Sequence, residues 1–163
     1  MELLERARQW ASHDPDPATA SALSADIEAT ERGDEEATAR VGAAMNGPLQ
    51  FGTAGLRGVG GPGESRMNRA VVIRATAGLC EVVKRHATGT PTLVVGCDAR
   101  YGSSEFATAA CRVASAAGVR VLALPQANPT PLTAFSVRHF DADAGVMVTA
   151  SHNPAPDNGF KVY

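Results

Sequence analysis

Three short runs in this chain, TLVVGC (92–97), VRVLALP (119–125) and GVMVT (145–149), are apolar at nearly every position. A strand with one wet face alternates apolar and polar residues, so a continuous apolar run of this length points to a strand buried on both faces. The segments between the runs have a different period. Phe106, Ala110, Val113, Ala114 and Ala117 line one helix face between Ser103 and Ala117, as Ala70, Val71, Ala75, Leu79, Val82 and Val83 do between Met67 and Ala87. A shorter helix to about His139 follows the break at Asn128-Pro129-Thr130-Pro131. Strands that alternate with helices and need cover on both faces predict an α/β fold, a three-layer αβα domain with a mixed, mostly parallel sheet and right-handed crossovers. Ligands of such sheets collect beyond the carboxyl ends of the strands. The polar segments after Cys97, Pro125 and Thr149 should therefore share one rim.

Residues 1–48 have another texture, rich in charge and alanine, and predict a helical leader. Asp14-Pro15-Asp16-Pro17 separates a short helix from a longer one starting near Pro17. Gly33-Asp34 interrupts again, Glu35 to Met45 can form a further helix, and Gly47-Pro48 ends it. The α/β domain is expected over 49–163. A formal charge of -2 gives no electrostatic case for nucleic acid or an anionic membrane, so an anionic ligand has to be held locally. Cys80, Cys97 and Cys111 are odd in number and have no CxxC spacing, which suits a reducing compartment better than a disulfide framework or a zinc site. MELLERARQW lacks the apolar core of a secretory signal, and no apolar run approaches the ~18 residues of a membrane span, so the expected location is the cytoplasm.

The chemistry concentrates in VMVTASHNPAPDNGFKVY (146–163). If Ala150 ends a strand and Gly159 starts its antiparallel return, the loop presents Ser151, His152 and Asn153, and Lys161 is expected to come back beside Ser151. Pro154 and Pro156 stiffen the loop, and Asp157-Asn158-Gly159 suits a tight turn. A rigid, exposed serine points to covalent chemistry. On extended backbone His152 would point away from Ser151, and no GxSxG elbow surrounds the serine, so hydrolase chemistry is disfavoured. A serine with a nearby lysine suits phosphate: phosphoserine carries about -1.5 to -2 charges, and phosphoryl transfer depends mainly on positioning and charge stabilisation. A surface hairpin decorated with polar residues is the alternative.

Thr53 and Arg57 in FGTAGLRG stand among glycines whose N–H groups can cradle phosphate oxygens, although glycine-rich loops also serve simply as turns. GVGGPG (58–63) satisfies GxGxxG but contains Pro62 and opens no helix, so it fails the dinucleotide context. In DARYGSS (98–104) Ser103 or Ser104 is expected to cap the next helix. Asp98 and Arg100 are placed to orient the rim, by pairing with each other or with neighbouring loops. His13, His86 and His139 lie near helix ends without metal-ligand spacing, and Asp141 to Gly145 lacks the length and closing glutamate of a calcium loop.

TASHNPAPDNGFKVY, with FGTAGLRG upstream and GCDARYGSS between them, resembles the α-D-phosphohexomutases, the phosphoglucomutase and phosphomannomutase superfamily. The resemblance covers about Leu49 to Tyr163, with three motifs in family order. Its wording is nearest the branch that joins bacterial phosphoglucomutases and phosphomannomutases to phosphopentomutase-type relatives. The resemblance implies that Ser151 is the catalytic serine, phosphorylated in the active enzyme. It would donate its phosphoryl group to a sugar monophosphate and take the other phosphate back from a sugar bisphosphate intermediate. Arg57 and Lys161 would contact the phosphate region and support proton transfer, with Thr53 in the phosphate-binding turn. His152 would contact the reacting groups, while Asp98, Arg100 and Asn153 would shape the cleft around them.

The family also binds magnesium between the phosphoserine and three aspartates of a DGDxDR loop in another domain, and selects and grips its sugar with further domains. None of those motifs occurs here. In this chain the metal would be reached by Ser151 alone, through its phosphate. The ending GFKVY begins an alternating strand with no turn or cap after it, and reads as a cut. The expectation is an N-terminal domain whose partners are a phosphosugar and the remaining domains of the same enzyme, inactive by itself. A standalone phosphosugar-binding or regulatory module is the alternative.

Overall fold

The computed structural model describes residues 2–163. Three helices lead the chain: α1 (Leu3–His13), α2 (Pro17–Glu31) and α3 (Glu35–Ala44). Asp16 and Asp34 cap α2 and α3 by accepting from the N–H groups of Ala18 and Ala37. There follow β1 (Leu56–Val59), α4 (Arg69–His86), β2 (Thr92–Cys97), α5 (Ser103–Ala116), β3 (Arg120–Ala123), α6 (Thr130–His139), β4 (Ala144–Val148) and β5 (Asp157–Val162). The sheet order is β1-β5-β4-β2-β3. β2 runs parallel to β3 and β4, while β5 is antiparallel to both β4 and β1. The sheet is thus mixed and mostly parallel, as the alternation of strand and helix predicts.

Leu93, Val95, Cys97, Val146, Val148 and Phe160 face α4 and α5, packing with Val72, Cys80, Val83, Ala110 and Ala114 in one core. α6 covers the opposite face of β2 and β4. It lies so close that a Cβ on Gly145 would strike Val137, and one on Gly96 would strike Thr133 and Asn128. Among the described residues α6 packs mainly on β2 and β4 rather than on β5 and β1. The leader has its own core of Ala7, Leu23, Ile27, Val41, Ala44 and Met45. Arg6 joins it to the α/β layer by donating to Glu64 and to the Met45 carbonyl, and the Arg74 guanidinium lies 5.6 Å from the centre of the Trp10 ring.

Three expectations are corrected. Val119 to Pro125 is apolar but is not buried on both faces: β3 is the sheet's edge, half-exposed along its length. The glycine-rich segment is not all loop, because Leu56–Val59 forms the other edge strand, paired to β5 from Leu56 opposite Phe160 to Val59 opposite Asp157. Neither serine caps α5. The cap position is Gly102, at φ 78°, and Ser103 is the first helical residue, buried with its hydroxyl turned inward.

Candidate active site

The hairpin between β4 and β5 carries the serine to the carboxyl-end rim. Thr149 N–H donates to the Gly159 carbonyl at 3.0 Å, and beyond that rung the loop opens. Ser151 sits at its tip, exposed, with φ 59°. A left-handed serine costs about 1–3 kcal/mol and persists only where its surroundings over-determine it. Here they do: its N–H donates to Thr149 Oγ1 at 2.9 Å, and Asn153 N–H closes the turn on the Ala150 carbonyl at 3.1 Å. This turn also changes the geometry expected for His152. The backbone is not extended, and Nδ1 lies 3.5 Å from Ser151 Oγ, at the outer limit of a hydrogen bond.

Arg57 and Lys161 share one face of the sheet. Arg57 stands opposite Gly159, two residues before Lys161 on β5, and side chains of alternate residues project to the same side. That is the side of the sheet on which α6 packs over β2 and β4. Arg57 donates to Asn153 Oδ1 at 3.3 Å, while Asn153 donates to Asp157 Oδ2 at 2.9 Å. Asn153 therefore links the arginine to the serine loop. Among the described residues the buried Arg57 Nε has no hydrogen-bond partner. Lys161 does not return beside Ser151: it pairs with Met147, because the return strand starts at Asp157 and the loop takes up the intervening residues. With Thr53, Gly52, Gly55 and Tyr163 it lines a cleft of about 410 Å³ at the far end of β1. Burial pushes the Tyr163 phenol above its ordinary pKa. Thr53 thus belongs with Lys161, and Arg57 with the serine loop.

Asp98 and Arg100 do pair, with Nε 3.5 Å from Oδ2, and they do reach a neighbouring loop. Arg100 Nη2 donates to the carbonyls of Ser151 and Asn153 at 2.8 and 2.7 Å, and Nη1 to those of Pro154 and Asp157 at 2.8 and 3.1 Å. Asp98 Oδ1 accepts from Arg100 N–H at 3.0 Å and from Ser103 Oγ at 2.7 Å. Asn158, which sequence reasoning passed over as a turn residue, is buried. Its amide donates to Ser103 Oγ at 3.0 Å and to the Tyr101 carbonyl at 2.9 Å. The segment after β3 joins the same rim: Asn128 N–H donates to the Cys97 carbonyl, and Asn128 Oδ1 accepts from Cys97 N–H.

These features define a domain built to hold one serine and one incompletely paired arginine at the rim of an α/β sheet. Comparison with known proteins gives the family. Residues 48–163 match the family model described as phosphoglucomutase/phosphomannomutase, alpha/beta/alpha domain I. Over 97 residues the chain is 46% identical to a Haemophilus influenzae protein named probable phosphomannomutase, covering 60% of this chain and 20% of that one. Over 123 residues it is 42% identical to the human phosphopentomutase, covering 71% of this chain and 20% of the relative. A crystal structure from Thermus thermophilus, assigned as a phosphomannomutase, superposes with a TM-score of 0.65 at 35% identity, over 71% of this chain and 25% of that one. The chain belongs to the phosphoglucomutase/phosphomannomutase family, and it spans about a fifth of the length of the curated relatives it matches.

Proposed function

We propose that this chain is the phosphoserine-bearing domain of an enzyme that interconverts 1-phospho and 6-phospho sugars. The observation that carries the reading is Ser151: exposed, strained, and held on a loop tied down by main-chain and side-chain hydrogen bonds. A covalent phosphoryl carrier needs that combination of access and fixed direction. In the first transfer the bond between phosphorus and Ser151 Oγ breaks as phosphorus bonds to a hydroxyl of the sugar monophosphate, whose proton passes to a base. The sugar bisphosphate then turns over, and its other phosphoryl group returns to Ser151 Oγ, releasing the isomeric monophosphate. Arg57 is the cation for the phosphoryl group: it is tied to the serine loop by one 3.3 Å bond to Asn153, so its guanidinium is not spent on the loop as that of Arg100 is. His152, adjacent to the serine, contacts the reacting groups. Lys161, which shares a cleft with Thr53, holds another part of the substrate with it and, like Arg57, supports proton transfer.

Magnesium, which the family resemblance implies, would be held from this chain by the phosphate on Ser151. Among the described residues no three His, Cys, Asp or Glu side chains converge on one point, so this chain does not by itself fit an octahedral oxygen cage. The remaining ligands and the sugar-selecting groups would come from further domains. We place the boundary between the helical leader, 1–48, and the phosphoserine domain, 49–163, where the two cores separate. The proposed setting is cytoplasmic; among the described residues no helix is long and apolar enough to cross a membrane.

The test is isomerisation of sugar 1-phosphates by the complete protein, with Ser151→Ala beside it. Turnover that survives Ser151→Ala, or label from a sugar bisphosphate recovered on another residue, refutes the assignment. Binding of phosphosugar without turnover by the complete protein would favour a non-catalytic module instead.

A further inference from the structure

Arg100 is the most fully engaged side chain at the rim, and none of its donors faces outward to a ligand. Its four terminal N–H contacts end on main-chain carbonyls of the loop, those of Ser151, Asn153, Pro154 and Asp157, and its Nε faces Asp98. These carbonyls lie on both sides of the proline-stiffened tip, so one planar group spans the whole hairpin turn. Asp98 is fixed in turn by Ser103, and Ser103 by the buried Asn158 at the start of β5. The chain of contacts closes a ring: β2 end, α5 start, β5 start, serine loop.

We propose that Arg100 is the positioning residue for Ser151, holding the serine in its left-handed conformation through the loop's carbonyls and so setting the direction of Oγ for phosphoryl transfer. This rests on the reading of Ser151 as the phosphoryl carrier. Arg100 does not touch the phosphoryl group; it acts through the backbone. A lysine at this position keeps the charge but has a single ammonium in place of a planar fork, and it cannot reach both sides of the turn at once. Charge alone therefore does not rescue the function, and Asn158 and Ser103 matter because they hold Asp98 against the arginine.

The complete protein is examined as wild type, Arg100→Lys and Asp98→Asn by two measurements. The first is hydrogen exchange of the hydrogen-bonded loop amides of Ser151, Asn153 and Asp157, which is read without any activity. The second is the rate of phosphate incorporation at Ser151 from a sugar bisphosphate, as a function of donor concentration. In Arg100→Lys the loop amides should exchange at least about tenfold faster while the sheet amides are unchanged. Loading at saturating donor should fall by about 10²-fold with the half-saturating concentration unaltered, the cost of a misplacement of about an ångström. Asp98→Asn, which retains the fork and weakens only its orientation, should fall between the two. It keeps the test open if Arg100→Lys does not fold. Loop exchange and loading within about twofold of wild type in the folded variants overturn the proposal. A wild-type protein that takes no phosphate overturns the phosphoryl-carrier reading itself.

Discussion

Gly159 has main chain of both neighbouring strands where a Cβ would go, and its replacement by alanine tests whether β5 is packed as described. The residue lies in β5 between β4 and β1, and a Cβ there would stand 2.5 Å from the Thr149 carbonyl oxygen, 2.7 Å from that of Leu56 and 3.2 Å from Arg57 Cγ. The first two obstacles are main chain of the flanking strands and cannot rotate away. Gly159 has no positive φ, so relief of chain entropy alone would make alanine stabilising by roughly 0.5–1 kcal/mol. Against that stands overpacking of up to about 3 kcal/mol and a loss of about 1 kcal/mol as the Thr149–Gly159 rung is pushed apart. The net expectation is a loss of about 3 kcal/mol. With a urea dependence of about 2 kcal/mol per molar, the unfolding midpoint should drop by about 1.5 M. Gly78→Ala provides the control: it lies exposed in α4 with open space where its Cβ would go, and should raise stability by up to about 1 kcal/mol. A Gly159→Ala protein that unfolds at the wild-type midpoint would refute the packing of β5 between its neighbours.

Ser103→Ala should cost about 1–3 kcal/mol in denaturant unfolding, because it leaves Asp98 and the buried Asn158 amide each short of a partner. Ser104→Ala should stay within about 0.5 kcal/mol, and equal effects at the two positions would contradict the network. Burial raises the thiol pKa values of Cys80 and Cys111 above the ordinary 9.0, with Lys84 partly opposing the shift at Cys80 and Cys97 adding to it at Cys111. A raised folded-state pKa means that the unfolded chain loses its protons first. The contribution of these thiols is thus intact below about pH 9 and declines as pH rises through the folded-state values. Urea midpoints should fall with pH in that alkaline window, and less steeply in Cys111→Ala; an unchanged slope would remove Cys111 as a cause.

Much of the scaffold was legible because its causes are local or periodic. TLVVGC and GVMVT became fully buried β2 and β4, and the breaks at Asp14 to Pro17 and at Gly33-Asp34 placed the starts of the second and third leader helices to within a residue or two. Two strands escaped correct reading for a different reason. VRVLALP shows what its residues prefer but not how many neighbours the sheet will give it, and the edge position is decided by topology. LRGV has no alternation to betray a strand, and becomes one only because β5 arrives from a hundred residues later in the chain to pair with it. The same limit explains Lys161, whose register depends on how many residues the loop absorbs before β5 begins.

The three cations of the site show where sequence reading stops in principle. Arg57 and Lys161 fall in segments read as phosphate-directed, and Arg100 in one read as orienting the rim. The partners that each cation meets are visible only in the fold. Arg100 is spent on carbonyl oxygens, and main-chain acceptors leave no mark in a sequence, since every residue supplies one. Arg57 makes one long bond, to Asn153, and among the described residues its buried Nε meets no acceptor. Lys161 sits with Thr53 in a separate cleft, ordered by strand register rather than by proximity to Ser151. In the phosphoryl-carrier reading one cation, Arg100, is spent on the frame of the serine, and Arg57, tied to the loop by a single bond to Asn153, is left for the group that moves. Phosphoryl transfer would need such a division, because the group that moves carries the negative charge and the group that carries it must not move.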